Sequence, residues 1–126
     1  MKEERYYPFL SKGCEDIARA LLALDNRLAF GVSDLKKKNY GGVKQAVKDA
    51  QIQAAKMAEA GILTKPEALF FETSLKMVQG GLERENMDMV RAGLEDDHDY
   101  AEELLLEKIV KCECHEGQRG ERDGLP

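Results

Sequence analysis

Tryptophan is absent from this chain of 126 residues, and no apolar run approaches the roughly 18 residues that a membrane-spanning helix requires. The opening residues, MKEERYYPFL, carry charges where a secretory signal needs an apolar segment. Three cysteines, Cys14, Cys112 and Cys114, are an odd number without framework spacing, so we expect reduced thiols. Together these features predict a soluble, cytoplasmic protein without a membrane span.

Recognisable catalytic motifs are also lacking. The chain has no glycine-rich phosphate loop, no nucleophile elbow and no His-Glu-x-x-His pair, and it holds only two histidines. We therefore assign no catalytic residue, expect no cofactor apart from a metal ion considered below, and expect no catalysis by the chain itself.

The strongest pattern that is present runs from Cys14 to Leu35. Apolar or small residues recur there at alternating steps of three and four, which places them on one side of a helix and not on a strand. They are Cys14, Ile17, Leu21, Leu24, Leu28, Gly31 and Leu35. The pattern predicts a long helix that contacts more than one neighbour.

Three further helices are predicted by similar spacing. The second spans about 43 to 60 and has a seam of small residues, and the third follows Thr64-Lys65-Pro66-Glu67, a capping-box sequence with proline in the first turn. The fourth runs from about Glu83 to Cys112 and contains the acidic stretch Glu95 to Asp99, which we expect to be exposed, paired with cations or kinked. The predicted fold is all-α, an up-down antiparallel bundle of about four helices.

The length fits a single domain, which we place at residues 1–112. Residues 1–10 carry large aromatic and apolar side chains around Pro8 and are predicted to form an arm that docks on the bundle or on another subunit. Residues 113–126 have little to bury and are predicted to be a flexible tail. The first and fourth helices are the longest, and because their overhanging apolar stripes need cover, we expect a homodimer.

Charge is distributed unevenly along the chain. Residues 1–66 hold 12 Lys and Arg against 8 Asp and Glu, a net charge of +4, whereas residues 67–126 hold 7 against 16, a net charge of −9. Pairing of early and late helices within the bundle explains this asymmetry, and charge-steered association with a partner is the alternative.

A metal site is the first alternative function. Glu95 and His98 have the Glu-x-x-His spacing of carboxylate-bridged di-iron bundles, and Glu102 follows one turn later. A second such motif, which a di-iron centre needs, is absent unless a symmetric partner supplies it. The competing interpretation is a solvated acidic turn. Cys112, Cys114 and His115 offer a second set of ligands, although their spacing differs from that of structural zinc sites.

Anion or RNA binding is the second alternative. Lys36, Lys37 and Lys38 are followed after the turn by Lys44 and Lys48, with Tyr40 between them. Because phosphate affinity grows with the number of contacts and this basic patch is small, we do not expect nucleic acid to be the general partner.

Protein association is the function that the sequence favours. Met57, Met77, Met87 and Met89, with Phe70 and Phe71, either pack in the core or line an adaptable groove for a partner helix. We predict a homo-oligomer, an accessory subunit of a hetero-complex or an adaptor, whose protein partner the sequence does not identify.

Overall fold

Four α-helices make up the protein: α1 (Lys12–Lys36), α2 (Tyr40–Glu59), α3 (Lys65–Glu83) and α4 (Met87–Asp123). The computed structural model describes the backbone of residues 12–123 and the side chains of residues 14–109. Within those residues there is no strand, so the all-α prediction is confirmed. The predicted docking arm at residues 1–10 lies outside the described part of the chain.

The helices pack as an antiparallel bundle. Helix α1 contacts α2 and α4 along its length, and α3 contacts the same two helices from the other side, with α2 and α3 sharing the smallest contact. Each helix therefore has two neighbours, as expected from the broad apolar stripe of α1. None of the described helices carries an apolar stretch that could cross a bilayer.

A large core fills most of the space between the helices, and a smaller cluster of Cys14, Ala18 and Ile109 is linked to it by Leu105. The α1 seam supplies the centre of the large core: Leu21, Leu24 and Leu28 are fully buried. Gly31 lies in the same seam, where a Cβ atom would come within 3.3 Å of the Ala46 Cβ atom, so α1 and α2 approach closely there. The other fully buried large side chains come from the remaining helices: Val43, Val47, Met57, Phe71, Leu75, Val78, Val90 and Leu94.

The start of α3 has the cap that its sequence predicts. The Thr64 hydroxyl accepts a hydrogen bond from the Glu67 N–H at 3.3 Å, and the Glu67 carboxylate accepts one from the Thr64 N–H at 2.9 Å. These bonds satisfy two backbone donors that a helix start leaves unpaired. Pro66 lies in the first turn, where its missing N–H costs nothing.

The turn between α3 and α4 lies later in the chain than predicted. Helix α3 continues through Gly80 and Gly81 to Glu83, and a Cβ atom at Gly81 would lie 3.0 Å from the Val90 side chain. Glycine lets the start of α4 approach α3 at this point. Helix α4 consequently begins at Met87 and not at Glu83.

Helix α4 is continuous through Glu95 to Asp99 and reaches Asp123, eleven residues beyond the predicted end at Cys112. The added segment, ECHEGQRGERD, is rich in the good helix formers Glu, Arg and Gln. It contains no large apolar residue, so the part of α4 that extends beyond the other helices has no apolar stripe for a second copy to cover. The predicted flexibility of residues 113–126 stays a prediction.

Cys14 is disulfide-bonded, which corrects the prediction of reduced thiols for this residue. Its side chain is fully buried and packs with Ala18 of α1 and Ile109 of α4. The other half of the bond lies outside the described side chains. The sequence prediction was wrong because it judged cysteine spacing along the chain, whereas pairing depends on which helix ends meet in space.

Candidate functional site

Several exposed large apolar side chains lie together on the outer side of α3. Leu69 and Met77 have 59% and 56% of their surface exposed, and Phe70 has 39%. All three belong to α3 and point away from its buried seam, which runs through Phe71 and Leu75. Isolated exposed apolar residues are ordinary, but several on one helix face form a patch.

Beside these residues runs a shallow groove of about 580 Å³ between α3 and α4. We call it the α3/α4 groove and define it by its lining residues: Pro66, Leu69, Phe70, Thr73, Ser74, Met77, Met89, Ala92, Gly93 and Asp96. Large apolar side chains come from α3, whereas Ala92 and Gly93 on α4 are small. A Cβ atom at Gly93 would lie 2.6 Å from the Val78 side chain, so the glycine brings the two helices together.

Phe70 is held in place by two other aromatic rings. Its centroid lies 4.3 Å from that of Tyr100 on α4 and 5.7 Å from that of the buried Phe71, in an edge-to-face arrangement with the latter. Aromatic contacts at these separations restrain both rings. One wall of the α3/α4 groove is therefore rigid, whereas the unbranched side chains of Met77 and Met89 are adaptable.

Asp97 is fully buried between α3 and α4, near the groove residue Ser74. Burial raises the pKa of Asp97 to about 7; the Ser74 hydroxyl opposes part of the rise and the exposed Asp96 adds to it. Neither carboxylate oxygen of Asp97 has a hydrogen-bond partner of acceptable geometry. The expectation that the acidic turn is exposed is therefore wrong for this residue.

No protein-family model, curated protein or solved structure matches the chain. The functional assignment consequently rests on the geometry of its own residues.

A second cluster, formed by side chains that are able to bind a metal ion, joins α1 to α4. Atoms of Asp25, His98 and Glu102 that can bind a metal all lie within 4.8 Å of one another. The His98 Nε2 atom lies 3.2 Å from Asp25 Oδ1, and its Nδ1 atom lies 3.9 Å from carboxylate oxygens of both Glu102 and Asp99. Burial raises the pKa of Asp25; His98 opposes the rise, and Glu102 and Asp99 add to it.

The predicted metal ligands are thus only partly brought together. His98 and Glu102 lie in the cluster with Asp25, whereas Glu95 is exposed and lines a different surface pocket of about 200 Å³. That pocket also contains Lys36 and Lys38. Three positions along a helix place Glu95 about 60° away from His98, which is enough to separate the two sites.

The predicted anion site contains acidic side chains as well as basic ones. Lys36, Lys37, Lys38, Lys44 and Lys48 are all exposed. Lys36 and Lys38 share a pocket with Asp88 and Glu95. Lys44 shares another pocket with Glu83 and Glu85. Interspersed carboxylates weaken the attraction of such a surface for phosphate. Anion binding here stays a prediction, as does metal binding by Cys112, Cys114 and His115, whose side chains lie outside the described ones.

The methionine and phenylalanine residues that were predicted to lie either in the core or in a groove are divided between the core and the surface. Met57 and Phe71 are buried in the core, whereas Phe70, Met77 and Met89 line the α3/α4 groove. Met87 is half-buried on the opposite edge of α4, near Tyr40.

Sequence reasoning missed three residues of these sites: Leu69, Asp25 and Asp97. Each left a signal in its helical register. Leu69 is a large apolar residue off the α3 seam, and Asp25 is an acid on the α1 stripe between Leu21 and Leu28. The buried apolar positions of α4 pass from Leu94 to Ala101, and Asp97 occupies the turn between them.

Proposed function

We propose that this protein acts by association and that the α3/α4 groove is its binding surface, occupied by the same groove of a second copy. The observation that supports the proposal is the exposure of Leu69, Phe70 and Met77 beside a depression lined by Ala92 and Gly93. A patch of this kind, rimmed by polar residues, is typical of interaction sites.

A second copy is complementary to the groove because the same surface contains protruding side chains next to a depression. In a two-fold dimer the same surface faces itself, so each protrusion of one copy needs a hollow in the same patch of the other. Leu69 and Met77 supply the protrusions, and the part of the groove beside the small residues Ala92 and Gly93 supplies the hollow.

The charges beside the groove favour the same arrangement. The exposed face of Leu69 and Met77 is bordered by three charged residues: Glu72, Lys76 and Arg84. Glu72 and Lys76 form an exposed ion pair of 3.4 Å. Because both signs are present in one border, two copies related by a two-fold axis are able to bring unlike charges together. Because the overhang of α4 is polar, the unequal helix lengths do not support a homodimer, whereas the mixed charge of this border does.

The experiment is light scattering after size exclusion on the wild-type chain and two variants. Leu69→Glu places a charge in the groove, and Ile52→Glu is the matched control, because Ile52 is 49% exposed on α2 and does not line the groove. The proposal predicts a wild-type dimer, a Leu69→Glu monomer and an Ile52→Glu dimer. A wild-type monomer at a concentration on the order of 100 micromolar, which would limit any self-association to a weaker affinity than that, or equal behaviour of the two variants, would overturn it.

A helix from a different protein is the other occupant that an apolar groove of this shape accepts. An accessory subunit or adaptor would use the groove in that way. A wild-type monomer in the light-scattering experiment excludes the homodimer and leaves the hetero-complex as the form of association to test.

The cellular location stays a prediction as well. We predicted the cytoplasm from the charged opening residues, but the disulfide of Cys14 argues against a reducing compartment.

A further inference from the structure

The cluster of Asp25, His98 and Glu102 combines two helices in one small volume. His98 and Glu102 are one helical turn apart on α4, and Asp25 reaches them from α1. The group consists of one imidazole and two carboxylates, not of acids alone, and the side chain of His98 is only 26% exposed. Three side chains that are able to bind a metal ion therefore lie together at the boundary between the core and the solvent-exposed surface.

The closest contact in the cluster lacks the geometry of a hydrogen bond. Asp25 Oδ1 and His98 Nε2 are 3.2 Å apart, yet the buried Oδ1 atom has no hydrogen-bond partner. Only 8% of the surface of Asp25 is exposed, and 11% of the surface of its side chain. A buried carboxylate oxygen without a donor is costly, so a missing ligand is a direct explanation for it.

A metal ion accounts for the same separation. Two ligands that each bind one zinc ion at about 2.0–2.1 Å in tetrahedral geometry lie about 3.3–3.4 Å from each other. The observed 3.2 Å between Asp25 Oδ1 and His98 Nε2 is close to that value. Glu102 has a side chain that is 53% exposed, and its carboxylate lies 3.9 Å from the other ring nitrogen, Nδ1, so it reaches the same point by rotating its side chain.

We propose that Asp25, His98 and Glu102 bind one divalent transition-metal ion, with zinc as the best match to this donor set. One nitrogen and two carboxylate oxygens are ligands that zinc accepts, whereas calcium requires six to eight oxygen ligands. Asp25 approaches the imidazole at Nε2, whereas Asp99 lies 3.9 Å from Nδ1, so Nε2 is the nitrogen that faces the proposed metal position.

The proposed ligand set differs from the one that the sequence suggested. Asp25 replaces Glu95, and the site needs no second copy of the chain, because all three ligands belong to one bundle. Three protein ligands leave a coordination position open, an arrangement in which zinc is able to bind water or a small anion.

The test is titration of the metal-free chain with Co²⁺, followed by its visible absorption, and with Zn²⁺, followed by calorimetry. The proposal predicts one equivalent bound to the wild type. His98→Ala and Asp25→Asn are each expected to weaken binding by at least about tenfold, the lower bound for disturbing a metal site. Circular dichroism and thermal unfolding of each variant show whether the bundle is intact.

Two control variants make the result specific. Glu95→Gln removes the acid that lies in the other pocket, and His115→Ala removes the second histidine of the chain. Both should bind cobalt with wild-type affinity. Absence of binding to the wild type means that Asp25 and His98 form only an ion pair, and this overturns the proposal. It is equally overturned if Glu95→Gln or His115→Ala loses the metal while a folded His98→Ala retains it.

Discussion

Gly93 of α4 lies directly against Val78 of α3, so closely that a Cβ atom at Gly93 would be 2.6 Å from a Val78 methyl group. Val78 is fully buried and β-branched, and its side chain therefore has little freedom to move aside. This contact sets the separation of α3 and α4 and with it the depth of the α3/α4 groove.

Replacing Gly93 by alanine should destabilise the bundle. Overpacking costs about 1–3 kcal/mol, and the better helix propensity of alanine returns up to about 1 kcal/mol, so we expect a net loss of about 1–2 kcal/mol. The measurement is urea unfolding. Gly80→Ala is the control, because nothing lies within 4 Å of its Cβ position, and it should stabilise by about 0.5–1 kcal/mol. Equal effects of the two substitutions would contradict the packing argument.

Asp97 should make stability fall as the pH rises. Its folded-state pKa is about 7 and its unfolded value is about 4, so between these values the folded protein binds more protons than the unfolded chain. The stabilising proton is fully present below about pH 4 and is lost as the pH passes through 7. We expect Asp97→Asn to raise the free energy of unfolding at pH 8 by about 1–3 kcal/mol, since it removes a buried charge.

The pH series of urea unfolding curves from pH 5 to pH 8 checks this expectation. Asp97→Asn should flatten the decline in stability across that range, and Asp96→Asn, which changes the exposed neighbour, should leave it in place. A decline that persists unchanged in Asp97→Asn would show that the carboxyl group of Asp97 is not its source.

Lys108 and Glu67 form an ion pair of 2.9 Å between α4 and α3, with side chains that are only 20% and 15% exposed. Burial alone raises the pKa of Glu67, but the hydrogen bond from the Thr64 N–H and the contact with Lys108 together lower it below its ordinary value. The stability that this carboxylate contributes is therefore present above its unfolded pKa and is lost as the pH falls through the lowered one.

We expect Lys108→Met to cost about 1 kcal/mol at pH 7, because the pair is partly shielded from water. Lys76→Met is the matched control, since its ion pair with Glu72 is 3.4 Å long and exposed, and its cost should be below about 0.5 kcal/mol. Thermal unfolding compares the two variants. A larger loss for Lys76→Met would be inconsistent with the interhelical role of Lys108.

Most of the fold was predictable because helical spacing and caps are local properties. The α1 seam at Leu21, Leu24 and Leu28 and the Thr64 cap are where the sequence placed them. The end of α4 was not predictable from apolar residues, since residues 113–123 include no large apolar residue and stay helical through their helix-forming residues.

The candidate sites were less predictable, because they depend on the rotation and pairing of helices. A carboxylate is normally assigned to the surface on account of the cost of burial, and this is why Asp25 and Asp97 were not expected in the interior. Likewise, Leu69 and Phe70 come directly before the buried Phe71, and spacing alone does not show which of the three side chains faces solvent. His98 and Glu102 were predicted from their spacing along one helix, whereas Asp25 comes from another.

The disulfide of Cys14 should contribute to stability. A disulfide that closes a long loop restricts the unfolded chain and typically stabilises by about 2–4 kcal/mol. We expect the reductant TCEP to lower the thermal midpoint of the wild type and to have no effect on Cys14→Ala. Thiol titration under denaturing conditions supplies the independent check, since it should find one free cysteine before reduction and three after it. Three free thiols in the unreduced protein would contradict the pairing.

The most direct test of association through the α3/α4 groove is a dilution series followed by amide NMR. The account predicts concentration-dependent shifts for the amides of Leu69, Phe70, Met77 and Gly93, and constant shifts for Ile52 on α2. Spectra that do not change with concentration while the chain stays monomeric, or changes centred on α2, would contradict it.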